Sequence, residues 1–311
     1  MTRPRTIGFL GPAGTFSEQA LLTQADLAGM DLVSFTTIPD VLAATESGEV
    51  DLGFVPIENS IEGTVNAALD NLALESDLLI QREVVINIQM NLLTLPGVQL
   101  DEITAVAGFP HAMAQVRTWL KGNLPGADVV AANSNADAAL IVRERKERSL
   151  AAVSTALAAE LYGLEVRAGD IEDHPENQTR FVVVARSGIP AATGHDKSTI
   201  VCFQRADVPG SLLGILQEFS ARAINLTKLE SRPTKKGLGD YCFIIDLDGH
   251  VADEIVADCL RDLKSKLADV KFLGSYPAAG EHGEAVRRDA EAGWREAAAW
   301  VAGLRGDIAD R

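Results

Sequence analysis

Short apolar, β-branched runs recur through the N-terminal two thirds of the chain, and single helix-patterned segments separate most of them. Thr6-Ile7-Gly8-Phe9-Leu10 is the first. The Gly11-Pro12-Ala13-Gly14 turn behind it opens a helix in which Thr15 and Glu18 stand at capping-box spacing. A strand near residues 33–35, a helix over 40–47, a strand over 51–55 and a helix over 62–74 continue the pattern. Strands separated by single helices run parallel and need helices on their faces, so the pattern predicts an α/β doubly wound sheet. The run over 78–94 alternates polar and apolar residues around 82–89 and predicts a strand crossing into a second lobe. That lobe has predicted strands at 103–107, 128–132 and 151–154, and helices at 110–121 and 134–146, the latter with Ser134 and Asp137 as a capping box. A strand over 179–186 then returns to the first lobe. The expected division is lobe 1 over about 5–77 and 160–187 and lobe 2 over about 78–159, with a ligand-binding cleft between them.

Residues 187–197 have linker composition. Beyond them come a strand (199–204), a helix (210–221), two strands (224–230 and 240–247), a helix (253–267) and a strand (270–273). That βαββαβ order predicts a ferredoxin-like domain over 198–277. The tail over 278–311 is rich in Ala, Glu and Arg, carries Trp294 and Trp300, and predicts a helix without an assigned role.

At 311 residues the chain has room for two such cores. Its formal charge of −16, from 28 basic and 44 acidic side chains, argues against nucleic acid or an anionic membrane as partner. An anionic substrate would need positive potential concentrated locally, for which Arg180 and helix N-termini are the candidates. The N-terminus has no apolar stretch of export-signal length, and no run reaches membrane-span length. Three cysteines, Cys202, Cys242 and Cys259, are an odd set without metal-ligand spacing, which predicts reduced thiols in the cytoplasm.

Asn177-Gln178-Thr179-Arg180-Phe181 leads directly into Val182-Val183-Val184-Ala185. A hydroxyl, a guanidinium and a carboxamide thus meet where a loop enters a buried strand, a placement suited to holding an anion and handling a leaving oxygen. For the pentapeptide alone, a loop whose Thr caps backbone and whose Arg is solvated is the favoured reading. The turn over residues 11–18 offers backbone N–H groups and a helix N-terminus to an anion, with Thr15 and Ser17 as added donors and Glu18 as a cap. Glu58-Asn59-Ser60 ends a strand at the edge where open α/β sheets bind ligands. Asn59 has donors and an acceptor to orient a substrate. Ser60 either binds with it or caps the helix near Glu62, and Glu58 either orients them or is structural. His111 and Gln115 are four apart on one predicted helix face.

Together these segments resemble the prephenate dehydratase family, and Pro209-Gly210-Ser211-Leu212-Leu213 with Glu230-Ser231-Arg232-Pro233 resemble its ACT regulatory domain. The match spans about residues 5–277. The resemblance implies a two-lobed catalytic region like type II periplasmic binding proteins. It implies decarboxylative dehydration of prephenate to phenylpyruvate, with Thr179, Asn59 and Gln115 catalytic and Thr15, Ser17, Glu58, Ser60, Arg180 and Phe181 binding substrate. It also implies L-phenylalanine as effector, held by the two ACT motifs with Asn225 and Leu226, in a homo-oligomer (dimer or tetramer). No metal and no cofactor are expected, because no metal cluster, Ser-His-Asp order or dinucleotide fingerprint is present. Phe109 stands where the family has His, and Asn135 where it has a hydroxyl residue, so neither family side chain is on hand here. Arogenate dehydratase and a non-catalytic aromatic-ligand sensor are the alternatives. Leaving-group departure requires Thr179, and sensing does not.

Overall fold

The computed structural model describes residues 5–204, 209–235, 237, 239–279, 296–297 and 299–306. The chain forms two compact units. One holds the chain up to Leu69 together with Val84–Val183, and the other joins Asp70–Glu83 to the chain from Val184 onward.

The elements follow in the order β1 (Thr6–Leu10), α1 (Phe16–Leu22), α2 (Ala25–Ala28), β2 (Asp31–Phe35), α3 (Ile38–Ser47), β3 (Leu52–Asn59), β4 (Gly63–Thr64), α4 (Asn66–Leu74) and β5 (Leu79–Asn87). Then come β6 (Asn91–Thr94), β7 (Ala105–Gly108), α5 (Pro110–Gln115), α6 (Arg117–Asn123), β8 (Asp128–Ala131), α7 (Asn135–Arg145), β9 (Leu150–Ser154), α8 (Ala156–Tyr162), β10 (Glu165–Ala168) and β11 (Gln178–Ala185). The first sheet has the order β2-β1-β3-β11-β5, with β4 on β3, and the second the order β10-β6-β9-β7-β8. β1 is parallel to β2 and β3, and β7 to β8 and β9, as helical crossovers allow.

Three departures from the expected elements have local causes. The helix expected over 62–74 starts only at Asn66, because Gly63 at φ +81° turns the chain back and Gly63–Thr64 pair with Asn59 and Glu58. The helix expected over 110–121 breaks at Val116. There the Asp173 carboxylate accepts the N–H groups of Thr118 (2.9 Å) and Trp119 (3.3 Å) and so caps α6 anew. The run over 78–94 is two strands: the Ile88 N–H still bonds the Asn177 carbonyl, at the head of β11, but the Met90 N–H goes to the Glu172 carboxylate. β10 pairs with β6, so the second sheet extends to Ala168, past the expected lobe boundary at 160.

The first sheet's core gathers Ile7, Phe9, Leu21, Phe54, Val84 and Phe181. Separate apolar clusters around Val106 and Val153, and around Ala107 and Val142, belong to the second sheet.

The second unit contains β12 (Asp196–Phe203), α9 (Ser211–Ser220), β13 (Leu226–Pro233), β14 (Tyr241–Asp248), α10 (Glu254–Lys266) and β15 (Asp269–Pro277). Its sheet order β13-β14-β12-β15 is that of a ferredoxin-like domain, and the pairings of β12, β13, β14 and β15 are antiparallel. The two helices close an apolar core on Ile200, Phe219, Phe243, Ile245 and Val256. Residues 70–83, expected to fall within the two lobes, belong to this unit for identifiable reasons. A Cβ on Gly274 would lie 2.5 Å from the Ile80 carbonyl oxygen, so only glycine permits that approach. The buried Glu83 carboxylate accepts from Lys197 Nζ at 3.0 Å and from the Ala279 N–H at 2.6 Å. Of the helix expected in the tail, residues 296–297 and 299–306 are helical, residues 278–279 are not, and the rest of that expectation lies outside the described residues.

Candidate active site

Asn59 closes β3, and its side chain organises the turn that follows. Its Oδ1 accepts the backbone N–H groups of Ile61 (3.0 Å) and Glu62 (2.9 Å), which forces Nδ2 to point the other way. The two Nδ2 hydrogens go to Asn177 Oδ1 (2.8 Å) and Thr179 Oγ1 (2.9 Å), the nearest oxygens, with the Gln178 carbonyl sharing in at 3.1 Å. An amide nitrogen has no acceptor capacity, so Thr179 Oγ1 must accept this bond and its own proton must go elsewhere.

The chain of amides continues behind Asn177. Asn177 Nδ2 donates to Gln115 Oε1 at 3.0 Å, and Gln115 Nε2 donates to Glu62 Oε1 at 3.3 Å. His111 Nδ1 lies 3.1 Å from the other Glu62 oxygen. Thr179, Asn59 and Gln115, the three residues expected to be catalytic, are therefore brought into one hydrogen-bonded chain. Asn177 and Glu62, which were not expected, are its links. Strand alternation was the available signal for Asn177, because residues 177 and 179 point to the same side at the head of β11.

Alternation also separates what the sequence placed together. Arg180 points away from Thr179, and its guanidinium sits 3.5 Å from the Glu58 carboxylate. The pair braces β11 against β3. Phe181 is fully buried and stacks on Phe54 with ring centroids 5.1 Å apart, which makes it core and not cleft wall. Ser60 does not cap a helix: its Oγ accepts the Gln178 N–H at 2.9 Å and ties the turn to the start of β11.

The turn over residues 11–18 is used largely for packing. Gly14 has φ +88°, and a Cβ there would approach Ala158 on α8 at 3.2 Å. Thr155 Oγ1 donates to the Gly14 carbonyl at 2.7 Å and Tyr162 Oη to the Ala13 carbonyl at 2.8 Å, so the glycine serves contact with the second sheet's helix. The Gly14 N–H expected for an anion is held by Glu18 at 2.6 Å. Thr15 Oγ1 is engaged by the Leu10 carbonyl and the Glu18 N–H, as a helix cap, and Ser17 is buried. Asn135, at the start of α7, has an enclosed Oδ1 with no hydrogen-bond partner among the described residues.

In the second unit a pocket of about 420 Å³ opens between Gln204, the residues 210–213 that start α9, Leu216 and Phe243. Gly210 is the N-cap at φ +88°, Ser211 Oγ donates to Gln204 Oε1 at 2.5 Å, and Leu213 is exposed. Pro209 immediately precedes this cap. The β13–β14 register pairs Ser231 with Phe243, which puts Ser231 on the pocket's side of the sheet. Glu230 and Arg232 face the other way. Arg232 Nε donates to Asp70 at 2.9 Å, with Glu230 3.8 Å from the guanidinium. Pro233 ends β13 and Leu226 packs on the apolar core. Asn225 Nδ2 is bonded to Asp248 at 2.9 Å. The two ACT-like motifs thus contribute residues 210–213 and Ser231 to one side, while Arg232, flanked by Glu230, holds residue 70.

The family model for prephenate dehydratase matches residues 7–188, and that for the ACT domain matches residues 198–265. The chain belongs to the prephenate dehydratase family. A prephenate dehydratase of Mycolicibacterium vanbaalenii is 43% identical over 313 residues, covering 96% of this chain and 98% of that one. The crystal structure of the prephenate dehydratase of Arthrobacter aurescens in complex with L-Phe superposes with a TM-score of 0.88 at 40% identity, covering 97% of this chain and 99% of that chain. A structure described as a novel type of quorum-quenching acylase is 30% identical with a TM-score of 0.78, covering 88% of this chain and 98% of its own. The chain is accordingly an enzyme, a carbon–oxygen lyase of the prephenate dehydratase family, with an ACT domain at its C-terminal side.

Proposed function

We propose that this enzyme converts prephenate to phenylpyruvate in the cytoplasm and that Thr179 assists departure of the ring hydroxyl. In that reaction the carbon–carbon bond to the ring carboxylate breaks, its electrons enter the ring, and the carbon–oxygen bond at the far side breaks as aromaticity is gained. Carbon dioxide leaves, and the departing hydroxide takes up a proton to become water. The observation that carries this reading is the Asn59-to-Thr179 hydrogen bond at 2.9 Å. It uses the Thr179 oxygen as acceptor and leaves the hydroxyl proton to be donated to a developing hydroxide. A threonine hydroxyl is too weak an acid to give up its proton unaided, so its role is hydrogen-bond donation and not full transfer. Gln115 holds the network that orients Asn59, and Arg180 with Glu58 supports the strand from its other face.

Replacing Thr179 tests this. Thr179→Ala lowers turnover far more than it raises the Michaelis constant, because the lost bond is made mainly in the transition state. Unchanged turnover with a raised Michaelis constant would move Thr179 from catalysis to binding.

The same reading includes control by L-phenylalanine at the pocket formed by residues 210–213 and Phe243. Backbone N–H groups at the start of α9 suit an amino-acid carboxylate, and Leu212, Leu216 and Phe243 suit an aromatic ring. Leu213, Leu229 and Tyr241 are exposed apolar side chains in this domain, in keeping with a homo-oligomer, dimer or tetramer.

A further inference from the structure

We infer that Asn177 is a positioning residue for the reaction, and that with Glu62 it sets the donor–acceptor polarity that leaves the Thr179 proton available. This rests on the reading of Thr179 given above. Asn177 is 1% exposed, and its carboxamide is the middle link between Gln115 and Asn59. An amide can flip and exchange donor for acceptor at almost no cost in shape, so something must hold the chain in one sense. Two anchors that cannot flip do so from opposite ends. At one end, the backbone N–H groups of Ile61 and Glu62 bind Asn59 Oδ1. At the other, the Glu62 carboxylate, acceptor-only when ionised, takes the Gln115 Nε2 proton. Between them every link is determined: Gln115 presents oxygen to Asn177, Asn177 presents oxygen to Asn59, and Asn59 presents nitrogen to Thr179.

Both anchors pass through the same turn, since Glu62 supplies a backbone N–H at one end and its carboxylate at the other. The β3–β4 reversal at Gly63 is what lets a residue three positions after Asn59 reach Gln115. The turn therefore closes a ring of hydrogen bonds around Asn177.

Asn177→Asp probes this directly, because it keeps the shape and the acceptor toward Asn59 but removes the donor toward Gln115. Two oxygens then face each other about 3 Å apart unless Gln115 flips, and a flipped Gln115 turns its oxygen onto Glu62. Either way one link is repulsive. Adding Glu62→Gln to Asn177→Asp removes that conflict. The new carboxamide at position 62 donates to the flipped Gln115, and Gln115 in turn donates to the new carboxylate at position 177. The two links through Gln115 are inverted while the bonds from Asn59 to position 177 and to Thr179 are kept.

The measurement is steady-state prephenate turnover of the intact chain, scaled to the folded fraction from thermal unfolding. Asn177→Asp is expected to lower kcat by about 10- to 100-fold with KM changed less than about threefold. The Asn177→Asp/Glu62→Gln double variant is expected to recover about tenfold or more of that loss. A purely structural Asn177 would not be rescued by a change at Glu62, so a double variant no better than Asn177→Asp overturns the inference. So does Asn177→Asp with undiminished kcat. Thr179→Ala is run alongside: if it alone keeps full turnover, the reading of Thr179 fails. If Thr179→Ala is impaired and Asn177→Asp is not, only the positioning role fails.

Discussion

At the residue scale, Thr179 and Asn59 meet in one hydrogen bond, while alternation along β11 sends the next side chain elsewhere. The loop-to-strand entry made a site of Thr179 legible, and the strand-end placement did the same for Asn59. Strand alternation separates Arg180 and Phe181 from them, sending Arg180 to Glu58 and committing Phe181 to stacking on Phe54. Asn177 and Glu62 escaped because their partners lie 62 and 53 positions away, beyond any local pattern. The quantitative expectation at this scale concerns Thr179. Losing a hydrogen bond to a developing oxyanion costs roughly 3–4 kcal/mol, so Thr179→Ala should lower kcat by about two to three decades. Thr179→Ser keeps the hydroxyl and the bond from Asn59 and should retain more activity in the same assay. Equal losses in both would mean that the methyl group, and not the hydroxyl, matters.

At the element scale, periodicity located most strands and helices, and the misplaced ends lie where side chains from distant segments cap or interrupt the backbone. Asp173 at the α5–α6 break is one case, and Asn59 at the delayed start of α4 is another. The edge strand β13 has a role that its motif did not reveal, because Arg232 ties it to residue 70. Burial pushes the Asp70 carboxyl up, but the hydrogen bond and charge of Arg232, with Lys235, outweigh it and hold Asp70 below its ordinary range. A carboxyl depressed in the folded state adds stability above its unfolded pKa, and that stability is lost as pH falls through the folded value. Arg232→Ala should therefore lower the Tm at neutral pH, and the gap to the parent protein should narrow as pH falls below 3.8, the ordinary value for this group. Paired thermal scans across that range check it. A gap that stays constant with pH would show that Arg232 stabilises through packing alone.

At the scale of the whole molecule, the linker composition over 187–197 and the βαββαβ order made the C-terminal domain legible, and its sheet order is the expected one. The membership of residues 70–83 in that unit was not legible, since it rests on Gly274 against Ile80 and on the Glu83–Lys197 pair, both tertiary facts. Burial drives the thiols of Cys202 and Cys259 up to about 12, as core residues of the same domain. Among the described residues no helix is long and apolar enough to cross a membrane.

The proposed control by phenylalanine belongs to this scale as well. Leu213 is exposed at the pocket rim, so Leu213→Glu should leave the fold intact while repelling the carboxylate of phenylalanine. The concentration of phenylalanine needed for half-inhibition should rise about tenfold or more, a change of ~1.4 kcal/mol, with turnover in its absence unaltered. Identical inhibition of both proteins would show that the effector does not bind beside Leu213.

The reaction itself is tested most directly by giving the purified chain prephenate and, separately, arogenate in the presence of a metal chelator, following phenylpyruvate by its absorbance in alkali in the first case and phenylalanine by amino-acid analysis in the second, since arogenate keeps its amino group. The account predicts that prephenate is consumed, that phenylpyruvate appears, and that the chelator leaves the rate unchanged. Folded protein that leaves prephenate untouched while consuming arogenate, or turnover that the chelator abolishes and added metal restores, would contradict it.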